Sequence, residues 1–369
     1  MNESGYSLHK IYIDKKSLHF PLAQRIIKNT GSIPKETIED PHLLIEDLKT
    51  GKDPIGEGKK YLFLTEQKGD FVKPCPCTPQ YIGCNYFVIN SELNCPLDCS
   101  YCILQDYLSS PLITIHVNLE DLWKELDDFL QKRKGRPFRV GTGELGDSLA
   151  LDHITESSKD FIRYFRRKKH AFFELKTKTT NINNILSQEP AQNIIVSWSL
   201  NTPKIVREQE RGAPPVEERI GAAHQVAEKG FPVGFHFDPL IRYPGWKEDY
   251  KGVIERLLHG IDPARVAWIS LGSLRFSPHF KSIIKERFPR EKIFHDEFIK
   301  GKDGKYRYFR PLRLELYREI LESIRKNGGE AVPFYFCMEN KDVWQEVLGW
   351  VPRSEREVED SLLPRGNIK

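Results

Sequence analysis

No cysteine occurs between Cys102 and Cys337, a gap that spans most of this 369-residue chain, and the other five cysteines lie with Cys102 in residues 75–102. Such crowding does not make a disulfide framework and fits a reducing compartment better. No hydrophobic stretch approaches the length of a membrane span. The first residues, Met1 to Tyr6, show no basic segment followed by an apolar one, so no secretory signal is visible. The expectation is a cytoplasmic protein without a membrane partner. Excess charge of one sign is also missing: 56 Lys and Arg face 52 Asp and Glu, a formal net charge of +4, too little to establish a polyanionic partner. With 39% hydrophobic residues, the chain has material for a large core, enough for one barrel-sized domain with extensions.

The informative run is Cys95-Pro-Leu-Asp-Cys99-Ser-Tyr-Cys102. Its C-x3-C-x2-C spacing offers three thiolates to one compact site and leaves a fourth position open. Structural zinc asks for a fourth Cys or His nearby, and none follows before His116. A [4Fe-4S] cube held by only three thiolates keeps one iron free for an outside ligand. The alternative of a structural metal site in a non-catalytic nucleic-acid-binding protein remains open on ligand count.

With Tyr101 just before the last cysteine, this loop resembles the cluster loop of radical S-adenosylmethionine (SAM) enzymes. Its continuation Cys-Ser-Tyr-Cys-Ile-Leu-Gln resembles the spore photoproduct lyase family. The likeness extends, more diffusely, over residues 10 to 340, including Asp238 to Trp246 and the helix carrying Arg219-Ile-Gly-Ala-Ala. It implies a lyase-type enzyme with a [4Fe-4S] cluster on Cys95, Cys99 and Cys102. The open iron would chelate SAM, an external electron donor such as flavodoxin or ferredoxin would supply one electron, and the resulting radical would take hydrogen from a DNA photoproduct or other nucleic acid. A non-nucleic-acid substrate is the alternative. Tyr101 would pack near the adenine.

From Asn85 onward, apolar β-rich runs alternate with helical patterns. Strands are expected near Tyr86 to Ile89, Phe138 to Gly141, Phe172 to Leu175, Ile194 to Leu200, Val233 to Phe237, Ala267 to Leu271 and Ala331 to Phe336. This pattern predicts an α/β fold with parallel strands and crossover helices. The first six strands would form a partial (β/α)6 TIM-like barrel, as the resemblance also implies. The expected divisions are an N-terminal extension over 1–80, the barrel over 81–340, with Ala331 to Phe336 as an added strand, and a tail over 341–369.

Functional groups of such barrels collect at the C-terminal ends of the strands. The run Gly141-Thr-Gly-Glu-Leu-Gly-Asp147 literally matches G-x-G-x-x-G, but no glycine-led helix follows as a dinucleotide turn requires. Gly143-Glu144 instead resembles the motif that holds the SAM amino group, a task suited to a carboxylate. Lys178 is a candidate for the SAM carboxylate, and Ser199 and Asn201 for the ribose or carboxylate. A basic run alternating with aromatics, including Lys305, Arg307, Tyr308 and Arg310, has the composition of a nucleic-acid contact.

Two departures from the family pattern stand out. Glu144 registers where the family carries its hydrogen-donating cysteine, and Ile103 stands where a Tyr follows the third cluster cysteine. Cys337, at the end of the last apolar run, is the candidate substitute donor. Cys75, Cys77 and Cys84 number three without a fourth ligand and read as isolated small hydrophobes.

Overall fold

The computed structural model describes residues 8–78, 80–133 and 135–363, so the N-terminal hexapeptide considered above lies outside the described residues. The main sheet contains β1 (Val72–Pro74), β2 (Phe87–Ile89), β3 (Phe138–Thr142), β4 (Ala171–Thr177), β5 (Ile194–Ser199), β6 (Val233–Leu240), β7 (Val266–Ser273) and β8 (Phe334–Phe336), side by side in that order. β1 is antiparallel to β2. All other neighbours are parallel. Strands β2 to β7 are the six expected for a partial barrel, β8 adds the seventh, and β1 is an antiparallel edge that the apolar pattern did not reveal. β3 and β5 are buried at every residue, which explains the largely apolar run of β5 in a parallel sheet, while β3 buries Arg139.

Amphipathic helices make the crossovers: α1 (Leu119–Lys132) before β3, α2 (Ser157–Phe165), α3 (Val216–Lys229), α4 (Trp246–His259) and α5 (Arg310–Lys326). In α1 the buried residues Leu119, Leu122 and Leu126 share one face, with Glu120 and Asp121 in the first turn and Lys132 in the last, signs that suit the helix dipole. Stacked rings of Phe161, Phe165 and Phe173 lock α2 onto β4, with centroids 5.2 and 4.3 Å apart.

Residues before 80 contribute three strands, Lys10–Asp14, Lys35–Ile38 and Tyr61–Thr65, to a second sheet completed by Ile113–His116 and Glu92–Leu93. That sheet therefore flanks the cysteine loop on both sides in sequence. Between β7 and β8, Arg275–Phe276, Phe298–Lys300 and Tyr306–Tyr308 form a small antiparallel sheet. Beyond residue 340, helices Lys341–Leu348 and Glu355–Leu362 fold back on the barrel. There the buried Glu359 accepts from Asn85 Nδ2 at 2.7 Å and from the Arg139 amide at 3.2 Å. An antiparallel bridge between Ile82 and Glu339 ties the β1–β2 loop to the chain leaving β8. Among the described residues no helix is long and apolar enough to cross a membrane.

Candidate active site

The cysteine loop is pinned along its length. Asn94, at φ +68°, starts it and accepts the Cys95 amide on its own side chain at 2.9 Å. The Leu97 amide donates to Cys95 Sγ at 3.4 Å, an N–H···S contact of the kind that stabilises a thiolate. Asp98–Cys99 pairs antiparallel with Glu210–Arg211. Gln105 Nε2 returns to the carbonyls of Cys99 and Ser100 at 2.9 and 3.2 Å. Cys95 and Cys99 are buried and Cys102 is half-buried. Burial pushes Cys99 up to about 12 despite the opposing pull of Lys178, and it raises Cys95 well above the usual thiol range. Metal binding must displace such protons. Among the described residues no three His, Cys, Asp or Glu side chains are gathered as ligands of a single ion. A cube takes each thiolate on a different iron and asks for wider spacing. Three thiols on one pinned loop, with an amide already directed at sulfur, fit that donor set.

Tyr101 projects from this loop into the protein, where its hydroxyl donates to Glu210. Glu210 forms a fully buried ion pair with Arg219 at 2.6 Å. Arg219 in turn donates to the carbonyls of Pro214 and Ser199 at 3.0 and 3.1 Å. Burial works against the Glu210 carboxylate, but Arg219 and Lys178 outweigh it and hold its pKa below the ordinary range. Lys178 Nζ lies 5.9 Å from the Tyr101 ring centroid, so this candidate cation stands beside the loop. Asn201 is committed internally: it donates to Pro239 O at 2.9 Å and accepts from Tyr250 Oη at 2.6 Å.

The turn after β3 packs against the loop's start, with the Asn94 amide donating to Leu145 O at 2.7 Å. Gly143 has φ +91°, and a Cβ there would stand 2.6 Å from Lys176 O, so both conformation and space demand glycine. Asp147 anchors the turn to the end of β4 by accepting from Thr177 Oγ1 at 2.6 Å and the Lys178 amide at 2.7 Å. Glu144 accepts from Lys176 Nζ, a partner that occupies it in this state.

Inside the barrel, Glu174 accepts from Trp268 Nε1 at 3.1 Å and pairs with His236 at 2.8 Å. Burial opposes its charge, yet His236, Arg139 and Lys176 together hold it well below the usual carboxylate range. Arg139 is fully buried, stacks 4.1 Å from the Trp268 centroid and donates to Tyr335 Oη at 3.3 Å.

Cys75, Cys77, Cys84 and Cys337 are not isolated. Cys75, Cys77 and Cys337 are each within electrostatic reach of Cys84, whose own thiol burial keeps protonated, and Cys75 is also within reach of Glu144. The sheet seam gathers them, because the Cys75 amide donates to Tyr86 O at 2.8 Å and the Ile82–Glu339 bridge brings up the chain after β8. Cys337 Sγ accepts from Arg275 Nη2 at 3.4 Å, and burial, aided by Asp238, keeps the thiol protonated far above its usual range.

The basic run is not one exposed stripe. Arg307 is buried, paired with Asp303 at 2.6 Å, and Tyr308 is fully buried, accepting the Arg242 amide at 3.0 Å. Both are spent as core of the small sheet, so they offer no face to a nucleic acid. Lys305 is half-buried, while Lys302, Phe309 and Arg310 are exposed. The partners Glu210, Arg287 and Lys59 escaped sequence reading, since each touches the cysteine loop only through tertiary structure.

The family model described as spore photoproduct lyase matches residues 79–332. The spore photoproduct lyase of Clostridium acetobutylicum is 23% identical over 304 residues, 81% of this chain and 88% of that protein. That of Bacillus subtilis is 26% identical over 296 residues, 78% of this chain and 84% of that protein. A solved spore photoproduct lyase variant with bound AdoMet and dinucleoside spore photoproduct superposes with a TM-score of 0.77 at 22% identity, covering 90% of this chain and 98% of that one. The match to the family model over more than half of the sequence, on the partial barrel described above, makes this chain a member of the spore photoproduct lyase family.

Proposed function

We propose that the protein is a radical SAM enzyme that acts on a DNA photoproduct, in the reducing environment of the cytoplasm, with Cys95, Cys99 and Cys102 holding a [4Fe-4S] cluster. The observation that carries this reading is the pinned three-cysteine loop at the C-terminal mouth of the barrel, packed directly against the Gly143-Glu144 turn. When bound, the cluster would supply the electron, received from an external donor such as flavodoxin or ferredoxin, that cleaves SAM. Residues 81–340 form the catalytic barrel in this reading, flanked by the N-terminal extension and the C-terminal tail.

This chain's own groups then have separate tasks. Glu144 would hold the SAM ammonium, exchanging its Lys176 partner for it, and Lys178, beside Tyr101, would hold the SAM carboxylate as a point charge. Ser199, at the end of β5, lies within the same rim, while Asn201 is held in the interior by Pro239 O and Tyr250. Buried Tyr101 holds the loop against Glu210 and Arg219. The interior around Glu174, His236 and Trp268 is buried and would keep bulk water from the reaction. Position 144 itself is not a cysteine, so the hydrogen returned to product would come from the seam, where Cys337 is kept as the S–H form that a hydrogen-atom donor needs.

Anaerobic reconstitution with iron and sulfide tests the reading. The full chain should take up about four irons and cleave SAM on reduction, and Ala at Cys95, Cys99 or Cys102 should abolish both. Wild-type protein that binds zinc and no sulfide would establish a structural metal site instead.

A further inference from the structure

Three neighbouring strands of the main sheet end together and bring three side chains from distant parts of the sequence to one point of the rim. Asp238 lies on β6, Arg275 follows β7, and Cys337 follows β8, where its amide continues the ladder onto Leu271 O at 2.8 Å. Arg275 grips Asp238 with both ends of its fork, Nη1 to Oδ1 at 2.9 Å and Nη2 to Oδ2 at 3.1 Å, the planar match that guanidinium and carboxylate favour. Nη2 also donates to Cys337 Sγ at 3.4 Å. Gly272 leaves room for the pair, since a Cβ there would stand 2.6 Å from Asp238 Cγ. Arg275 and Asp238 are 19% and 20% exposed, so solvent reaches them. The other titratable or charged groups within reach of the thiol are Cys84 and Cys75 from the β1–β2 loop, Lys305 beside the small sheet and Tyr335 on β8. A guanidinium donating to sulfur would by itself favour the thiolate, and the bidentate carboxylate cancels that pull.

We propose that Arg275 and Asp238 are positioning residues for Cys337, a charge-neutral clamp that fixes the sulfur at the rim and leaves its hydrogen in place. The inference rests on the reading of Cys337 as hydrogen donor given above. A thiolate has no hydrogen atom to give, so a donor thiol held by a lone guanidinium would be lost to ionisation. Asp238 prevents that loss while Arg275 keeps its hold on the sulfur. Neither suffices alone, because a carboxylate has no N–H with which to hold sulfur.

The test is alkylation of the anaerobically reconstituted full chain by iodoacetamide from about pH 6 to pH 10, either side of the ordinary thiol value, with each cysteine quantified by peptide mass spectrometry. Asp238→Asn leaves the guanidinium unneutralised and should speed alkylation of Cys337 about tenfold near neutral pH, the mark of one unit of acidity, without acceleration at Cys84. The double variant Asp238→Asn, Arg275→Met removes both charges and should return Cys337 to the wild-type rate. A double variant as reactive as the single one, or equal acceleration of Cys84, makes the pair a packing element and overturns the proposal. An unchanged Cys337 rate in Asp238→Asn overturns it equally. Should Asp238→Asn not fold, the double variant decides: given a dinucleoside spore photoproduct, it should cleave SAM yet divert product to the side products of Cys337→Ala, and the wild-type product yield overturns the clamp. Failure of both variants to fold assigns the pair to stability alone and also overturns it. Cys337→Ala with the wild-type product at the wild-type yield would instead refute the donor reading on which the inference stands.

Discussion

Replacing Glu210 by Gln keeps the shape of the side chain and removes the charge opposite Arg219. Both partners are essentially inaccessible to solvent, at 1% and 0% exposure, so water cannot compensate the stranded guanidinium. Breaking a buried pair from one side costs about 3–5 kcal/mol. With an unfolding entropy of about 2.1 cal/mol/K per residue, the 369 residues give roughly 0.77 kcal/mol/K, so Tm should fall by about 4–6 °C. The pH dependence has a definite sign. The folded pKa of Glu210 is depressed, so its contribution is present above the unfolded value near 4.3 and disappears as pH falls through the folded value. Wild type and Glu210→Gln should therefore differ fully at pH 7 and converge in acid. Differential scanning calorimetry of the two proteins between pH 3 and pH 7, run at about equal ionic strength, measures this. An equal Tm at neutral pH, or a gap that does not narrow in acid, would refute the assignment of the pair as a net stabilising charge interaction behind Tyr101.

Glu144→Gln should weaken SAM binding by about 10- to 100-fold, the worth of one charge-assisted hydrogen bond of about 1.5–3 kcal/mol, with iron content unchanged; equilibrium binding that matches wild type would return Glu144 to a plain turn paired with Lys176. Cys337→Ala should preserve SAM cleavage while diverting the product radical to side products, and chromatography showing the same product at the same yield would make Cys337 structural. Substituting Lys302 and Arg310 together by Ala should reduce DNA affinity and lower the salt slope by about 2, near 0.9 per lost phosphate contact. Arg307→Ala should act through stability instead, because it strands buried Asp303; a wild-type melting curve for that variant would contradict its place in the core.

The local features of this protein were legible in its residues. Three cysteines spaced four and three apart must lie on one loop whatever the fold. Parallel strands buried on both faces impose apolar runs such as Ile194–Ser199, and α1 announces itself by period and end charges. The strand ends follow from those runs, which is why Glu144 and Lys178 were found on the mouth of the barrel. The antiparallel edge Val72–Pro74 was not legible, since a strand of three residues with two exposed carries no pattern. Basic and aromatic residues alternating over Lys305 to Arg310 have the same sequence signature in a solvated stripe and in a strand of a small sheet turned inward. Only packing decided that Arg307 and Tyr308 turn inward. Nothing in the spacing of Cys75, Cys77, Cys84 and Cys337 relates them, because the Ile82–Glu339 bridge is what brings the chain after β8 to the β1–β2 loop. Lys59, Glu210 and Arg287 likewise acquire their roles across long separations in sequence. A ligand spacing is set by covalent geometry, whereas the charges and hydrogen bonds that hold those ligands come from whichever distant side chains burial forces against them, and that choice belongs to the tertiary structure alone.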